Sequence, residues 1–406
     1  MTQPRRTLWF IIALAISIRL ALAIIHPFQF PDSADYDILA RNILHGDAYV
    51  TAPPHGLFAT RMPGYPLFVA ALEFLLGPSI QHVLIIQSLL SGLIVWLVYA
   101  IARRAGESVA LLAALLAAFD PLTIGFSAAF LSEMPFTLLM LLALWLFVRL
   151  LEGGGFDHWL LAGLTWSAAV YMRASALWCI LPLALWTLLH IKRRTWRHVR
   201  IAAIGVVVST AIVLVSLLPW QTRNFAIFHS HFFRLTTLEG ISLYEAVYPD
   251  ADGSPKQDII QLPPDMSPMN EAQRNDEWNR RAWQYIRNDP GRIVLLALRK
   301  FARTWSPWLN ASEFRNSRLQ FAIAAWYIPL FLLGLLGLVL APFPRGIKGL
   351  LLIPILYFSA VHSLFLGSVR YRAPLMPIVC IFAAAGIMTL LQRRKARQQD
   401  ANVAHR

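Results

Sequence analysis

Three carboxylates, Asp32, Asp35 and Asp37, open the interval 27–79, and Arg61 stands near its end. Strongly apolar segments flank this interval on both sides, which places the carboxylates beside a membrane. Ionisable groups held against hydrocarbon cost free energy and therefore mark functional candidates. Carboxylates can abstract a proton, and an arginine can grip a phosphate. A solvated loop in which Asp32 or Ser33 caps a helix starting near Ala34 accounts for the same residues.

Further ionisable residues fall at the same ends of the apolar segments: Asp120, Glu133, Arg173, Arg223, Arg370 and Arg372. A transporter would more often hold such groups near span midpoints, at broken helices. A site at one face, with acids and arginines together, suits binding of a lipid-borne phosphate at headgroup depth. Each residue also has a plainer role. Glu133 in the first turn of a span would complement the helix dipole, and Arg370-Tyr371-Arg372 would serve as a snorkelling anchor. Arg19 faces a bundle interior or a crevice, with no role assigned. His26, His55, His229 and His231 are loop residues, because no pair has a metal-ligand setting. The acids permit a divalent cation, but no ligand set demands one. Walker, GxGxxG, HExxH and Cys/His zinc patterns are absent from the sequence.

The elements that position these residues follow from composition. Of 406 residues, 57% are hydrophobic and 14% charged, with mean hydropathy +0.54. A soluble chain would carry about 25% charged residues, so the reading is an all-α polytopic membrane protein. The net charge of +14 sits in short loops beside apolar segments, a positive-inside pattern rather than a nucleic-acid surface. About ten transmembrane helices are expected, near 7–26, 80–102, 107–125, 131–150, 158–173, 175–191, 199–219, 321–341, 349–366 and 374–391. Arg5/Arg6, Arg103/Arg104, the Lys192-Arg193-Arg194 cluster, Arg345/Lys348 and Arg393-Arg394-Lys395 then share the cytoplasmic side with both termini.

Three regions result: an N-terminal membrane module, 1–219, with the interval 27–79 as its first external loop; a second external interval, 220–320; and C-terminal spans with a basic tail, 321–406. Tyr65 to Leu76 is apolar but short, and is expected along the interface or in a crevice. Within the second interval, Glu271 to Asn288 is expected to form an interfacial helix, and Asp289-Pro290 to start another. Asn310-Ala311-Ser312 matches a glycosylation sequon. Cys179 and Cys380 lie in apolar runs and make no disulfide framework.

Taken in order, several motifs resemble those of GT-C glycosyltransferases, polytopic enzymes that use polyprenyl-phosphate-linked sugars. They are Pro31-Asp32-Ser33-Ala34-Asp35-Tyr36, Arg61-Met62-Pro63-Gly64-Tyr65-Pro66, Leu131-Ser132-Glu133-Met134-Pro135-Phe136, Tyr171-Met172-Arg173-Ala174-Ser175, Pro219-Trp220 with Arg223-Asn224, and Arg370-Tyr371-Arg372-Ala373-Pro374. The bacterial branch related to protein O-mannosyltransferases and lipid A aminoarabinose transferases is the most similar. That resemblance implies sugar transfer to lipid A, a glycolipid, a polysaccharide or a protein at the outer face of the cytoplasmic membrane. It implies Asp32 as the acid of the first loop, with Asp35 standing in for a missing neighbour, and Glu133 as a further acid. Arg61, Tyr65, Arg173, Arg223, Arg370, Tyr371 and Arg372 are the implied substrate contacts. A flippase of lipid-linked saccharides is the alternative; it predicts paired charges near midpoints and internal two-fold symmetry.

Overall fold

The computed structural model describes residues 3–51, 56–191, 195–231, 233–255, 260–310 and 318–404. Among the described residues the chain is helical, apart from one isolated bridge between Phe28 and Ala129. The helices run α1 (Gln3–Ile25), α2 (Pro31–His45), α3 (Gly64–Leu76), α4 (Ile80–Ala102), α5 (Glu107–Ala118), α6 (Pro121–Ser127), α7 (Glu133–Leu151), α8 (Phe156–Met172) and α9 (Ile180–His190). They continue as α10 (Trp196–Ser216), α11 (Leu218–Phe228), α12 (Glu239–Val247), α13 (Glu271–Asn288), α14 (Pro290–Thr304), α15 (Arg318–Leu340), α16 (Arg345–Leu364), α17 (Val369–Arg372) and α18 (Met376–Ala404). His55, Lys192-Arg193-Arg194 and the Ala311-Ser312 half of the sequon lie outside the described residues.

Among the described residues seven helices are long and apolar enough to cross a membrane, and eight spans result if the bent pair α5–α6 counts as one. The expected ten is therefore approximate. The segment 107–125 is not one straight rod but two helices meeting at 53°. The segments 158–173 and 175–191 fall on shorter helices, the 17-residue α8 and the apolar stretch Ala174–His190.

The bend at Asp120-Pro121 explains why a charge sits inside α1. Proline has no N–H, so the Ala117 carbonyl loses its usual partner four residues on. Leu122 N–H donates instead to the Tyr327 hydroxyl, which frees the Ala118 carbonyl. Arg19, 1% exposed, supplies the missing donors: Nη2 to Ala117 O at 3.1 Å and Nη1 to Ala118 O at 2.8 Å. Asp120 caps α6 by accepting from Thr123 N–H, and it also accepts from the Tyr327 hydroxyl. Arg19 and Asp120 thus repair a broken span, as buried backbone groups require.

Two backbone bonds around Phe28, from its N–H to Ala128 O and from Phe130 N–H to its own carbonyl, tie the start of the first loop to the turn before α7. The Ser33 hydroxyl adds a bond to Phe130 O. These ties bring the first turns of α2 and α7 side by side. The long intervals also pack together: Thr237 N–H donates to Ala59 O, and Glu271 accepts from Phe58 and Ala59 N–H at 2.6 and 3.1 Å.

α13 forms over the expected residues, but its buried face, including Trp278 and Ala282, packs on α12. Its one large exposed apolar side chain among the described residues is Trp283. The apolar exposed stripe lies instead on α14, at Val294, Leu295, Leu298 and Phe301. The surface-lying amphipathic helix of this interval is therefore α14, opened by Asp289 accepting from Arg292 N–H.

Candidate active site

The chain folds so that an alternating row of three acids and three arginines forms at one end of the bundle. Helix α2 begins at Pro31, not near Ala34, and Ser33 accepts from Phe30 N–H, so Asp32 stands in the first turn rather than at the cap. That frees its carboxylate. Arg61 Nη2 donates to Asp32 Oδ1 at 2.7 Å, while Arg61 Nε and Nη2 hold Asp35 Oδ2 at 3.1 and 3.0 Å. Arg370 Nη1 donates to Asp32 Oδ2 at 2.7 Å, and Arg370 Nε donates to Glu133 Oε1. Arg173 Nη1 closes the row, 3.4 Å from Glu133 Oε1. Its guanidinium lies 5.7 Å from the Phe136 ring and 5.9 Å from the Tyr371 ring.

Four members of the row border a cavity of about 620 Å³. Asp32, Arg61, Arg173, Arg370 and Tyr371 line it, together with apolar side chains such as Leu177, Trp178, Phe233, Val361 and Leu366. Glu133 is 1% exposed and lies beneath the lining. Burial pushes the Asp32 carboxyl up, but Arg61 and Arg370 outweigh it and hold the group below the usual carboxylate range. For Arg61, burial favours loss of the proton, and Asp32 and Asp35 more than offset it. Among the described residues no three His, Cys, Asp or Glu side chains converge on a common point for a metal, and the acids of the row face arginines instead.

The family profile for dolichyl-phosphate-mannose-protein mannosyltransferase matches residues 60–220. No curated protein sequence matches the chain significantly. The archaeal oligosaccharyltransferase AglB from Archaeoglobus fulgidus, solved with an inhibitory peptide and a dolichol-phosphate, superposes with a TM-score of 0.54 at 12% identity, covering 98% of this chain and 52% of that one. A second structure of the same oligosaccharyltransferase, with Zn and sulfate, gives 0.56 at 14% identity, covering 97% and 51%. The chain shares the fold of these membrane oligosaccharyltransferase structures, and the mannosyltransferase profile matches its segment 60–220.

ArnT from Cupriavidus metallidurans, bound to undecaprenyl phosphate, gives a TM-score of 0.44 at 17% identity, covering 94% of this chain and 77% of that one. The chain spans about half the length of the AglB structures it matches.

Within this fold the expected site residues separate into two groups. Asp32, Arg61, Arg173, Arg370 and Tyr371 line the cavity, and Asp35 and Glu133 join them through Arg61 and Arg370 without lining it. Tyr65, Arg223 and Arg372 do not line it. Tyr65 is buried, donates to Gln87 Oε1, and packs edge-on under Tyr36 at 4.7 Å. Arg223 donates to the carbonyls of Phe58 and Tyr49 at 2.9 and 2.8 Å and stacks on Trp220, so it fastens the first loop. Arg372 is fully buried over the Tyr327 ring and donates to Thr304 O and Ser306 O, joining α14 to α17.

Sequence reasoning passed over Tyr36, Glu239 and His362, which also line the cavity. His362 stacks on Tyr371 with ring centroids 4.1 Å apart and planes 1° apart. Glu271 was equally missed, since its partners Phe58, Ala59 and Thr237 are far from it in sequence. Tyr36 stood inside the quoted motif, one residue after Asp35, and that adjacency was the available signal. Of the loop histidines, His231 comes within 3.9 Å of Asp276, and His26 stacks on Phe28.

Proposed function

We propose that the chain transfers a sugar from a polyprenyl-phosphate donor to an acceptor at the outer face of the cytoplasmic membrane. The acceptor is lipid A, another glycolipid, a polysaccharide or a protein. The carrying observation is one carboxylate, Asp32, bridged between two arginines in the wall of a cavity that both ionic and apolar side chains line. The fold of proteins solved with dolichol-phosphate supports the same reading.

In this mechanism the acceptor hydroxyl oxygen attacks the anomeric carbon from the face opposite the phosphate. The bond from that carbon to the phosphate oxygen breaks, its electron pair leaves on the phosphate, and the configuration inverts. Asp32 takes the hydroxyl proton. The departing phosphate gains negative charge, which preorganised arginines stabilise more strongly than water would, because they need no reorientation. Arg173 and Arg370 are the assigned phosphate contacts, and Arg61 and Glu133 hold the row in register. The donor already stores the free energy of the bond, so no nucleotide site is needed. Tyr65, Arg223 and Arg372 act by positioning the elements that carry the site. Both termini are assigned to the cytoplasm, with the cavity opposite, because the basic loops cluster at the other ends of the spans.

The test is sugar transfer by purified protein from a panel of radiolabelled polyprenyl-phosphate sugars into a crude envelope acceptor extract. Label moving from lipid to acceptor supports the reading. Flipping of labelled lipid across liposomes, without transfer from any donor to any fraction of the extract, overturns it.

A further inference from the structure

The row Asp35–Arg61–Asp32–Arg370–Glu133–Arg173 pairs three carboxylates with three guanidinium groups, so it is neutral as it stands. An anionic donor has no surplus cation waiting for it. The donors of the arginines are unevenly used. Arg61 spends Nε and Nη2 on Asp35 and Asp32. Arg370 spends Nε on Glu133 and Nη1 on Asp32. Among the described residues Arg173 makes a single ion contact, at 3.4 Å, and it lines the cavity with its face against two rings.

The two contacts of Arg370 also differ in kind. Glu133 is buried at 1% exposure and does not line the cavity, whereas the Asp32 side chain is 23% exposed in the cavity wall. A ligand entering from the cavity can therefore reach the Asp32–Arg370 bond but not the Glu133–Arg370 bond.

Building on the reading above, we propose that the donor's phosphodiester seats first on Arg173 and then takes Arg370 from Asp32, so that Asp32, still held by Arg61 through Oδ1, has its Oδ2 freed to act as base only when the donor is in place. Two consequences follow. Binding is ordered, donor before acceptor. And Asp32, which the transfer needs, competes with the donor for Arg370. Guanidinium–phosphate and guanidinium–carboxylate contacts are both charge-assisted, so the exchange replaces one contact with another of its kind and Arg173 tips it.

The test is binding of a radiolabelled short-chain polyprenyl phosphate to purified protein, with the matching polyprenol as competitor. Asp32→Asn removes the competing anion and is expected to bind the phosphate about tenfold more tightly than wild type, the scale of one charge-assisted hydrogen bond. Arg173→Gln is expected to bind it at least tenfold more weakly. Asp32→Ser serves the same purpose if the asparagine variant does not fold. Unchanged or weaker binding in the folded Asp32 variant, with wild type still preferring phosphate over polyprenol, overturns this inference and leaves the function standing. Equal competition by polyprenol in wild type overturns the donor class as well.

Discussion

Glu271 is a clamp whose removal should loosen one short segment. Its carboxylate accepts from Phe58 N–H at 2.6 Å and Ala59 N–H at 3.1 Å, and from the Thr237 hydroxyl. Ala59 is fully buried, so its N–H has no water to turn to. Glu271→Gln keeps one acceptor oxygen and replaces the other by an NH2 group, which cannot accept. A hydrogen bond to a charged group is worth roughly 1.5–3 kcal/mol, and about 1.4 kcal/mol is a factor of ten. The Phe58 and Ala59 amides should therefore exchange with deuterium roughly ten- to a hundredfold faster in the variant. Peptide-resolved hydrogen exchange on detergent-solubilised protein reads this directly, with α8 as the internal control. Arg61 lies two residues beyond Ala59, so sugar transfer should fall in step. Unchanged exchange over 58–59, or acceleration spread equally through α8, would refute the clamp.

Other outcomes follow from the same geometry. Arg223→Lys should weaken the loop by about 1–3 kcal/mol, because lysine cannot serve the Phe58 and Tyr49 carbonyls together as the guanidinium fork does; faster limited proteolysis of the first loop checks it. The Asp32 carboxyl is held low in the donor-free protein, so its stabilising ionisation is present above its ordinary value of 3.8 and is lost as pH falls through the lowered one. If donor binding releases Asp32, the acid limb of kcat should lie at higher pH than that of kcat/KM; coincident limbs would count against the release. Burial pushes the Lys300 ammonium down to about 8 from 10.5. The penalty for charging it is full below about 8 and fades toward 10.5, so thermal stability should climb across that window, and the climb should vanish in Lys300→Met.

Much of this molecule was legible because membrane spans and helix starts have local causes. The apolar windows found the spans, and Asp289-Pro290 marked the start of α14 to the residue. The break in the third apolar segment was written as Asp120-Pro121, yet its consequence, the seating of Arg19 on two orphan carbonyls, depends on which helices pack. The cationic candidates divided for the same reason. Arg370 and Arg372 are two residues apart in a short helix, so they point to different sides, one into the cavity and one into the bundle. α13 looked interfacial because it carries Trp278, Tyr285 and Ile286 at helical spacing; α12 covers Trp278, which no local pattern reveals. Glu271 and His362 gain their meaning only from contacts with distant segments.

The account rests on the Asp32–Arg370 pair being the place where the donor's phosphate bond breaks. The most direct measurement is the single-turnover rate of sugar release from a labelled polyprenyl-phosphate donor in wild type, Asp32→Asn and Arg370→Gln, each shown to be folded by its melting curve. Losses of at least about a hundredfold in both variants are predicted, the scale of general-base and oxyanion-type contributions. Wild-type turnover in either variant would contradict the assignment and move the chemistry elsewhere in the fold.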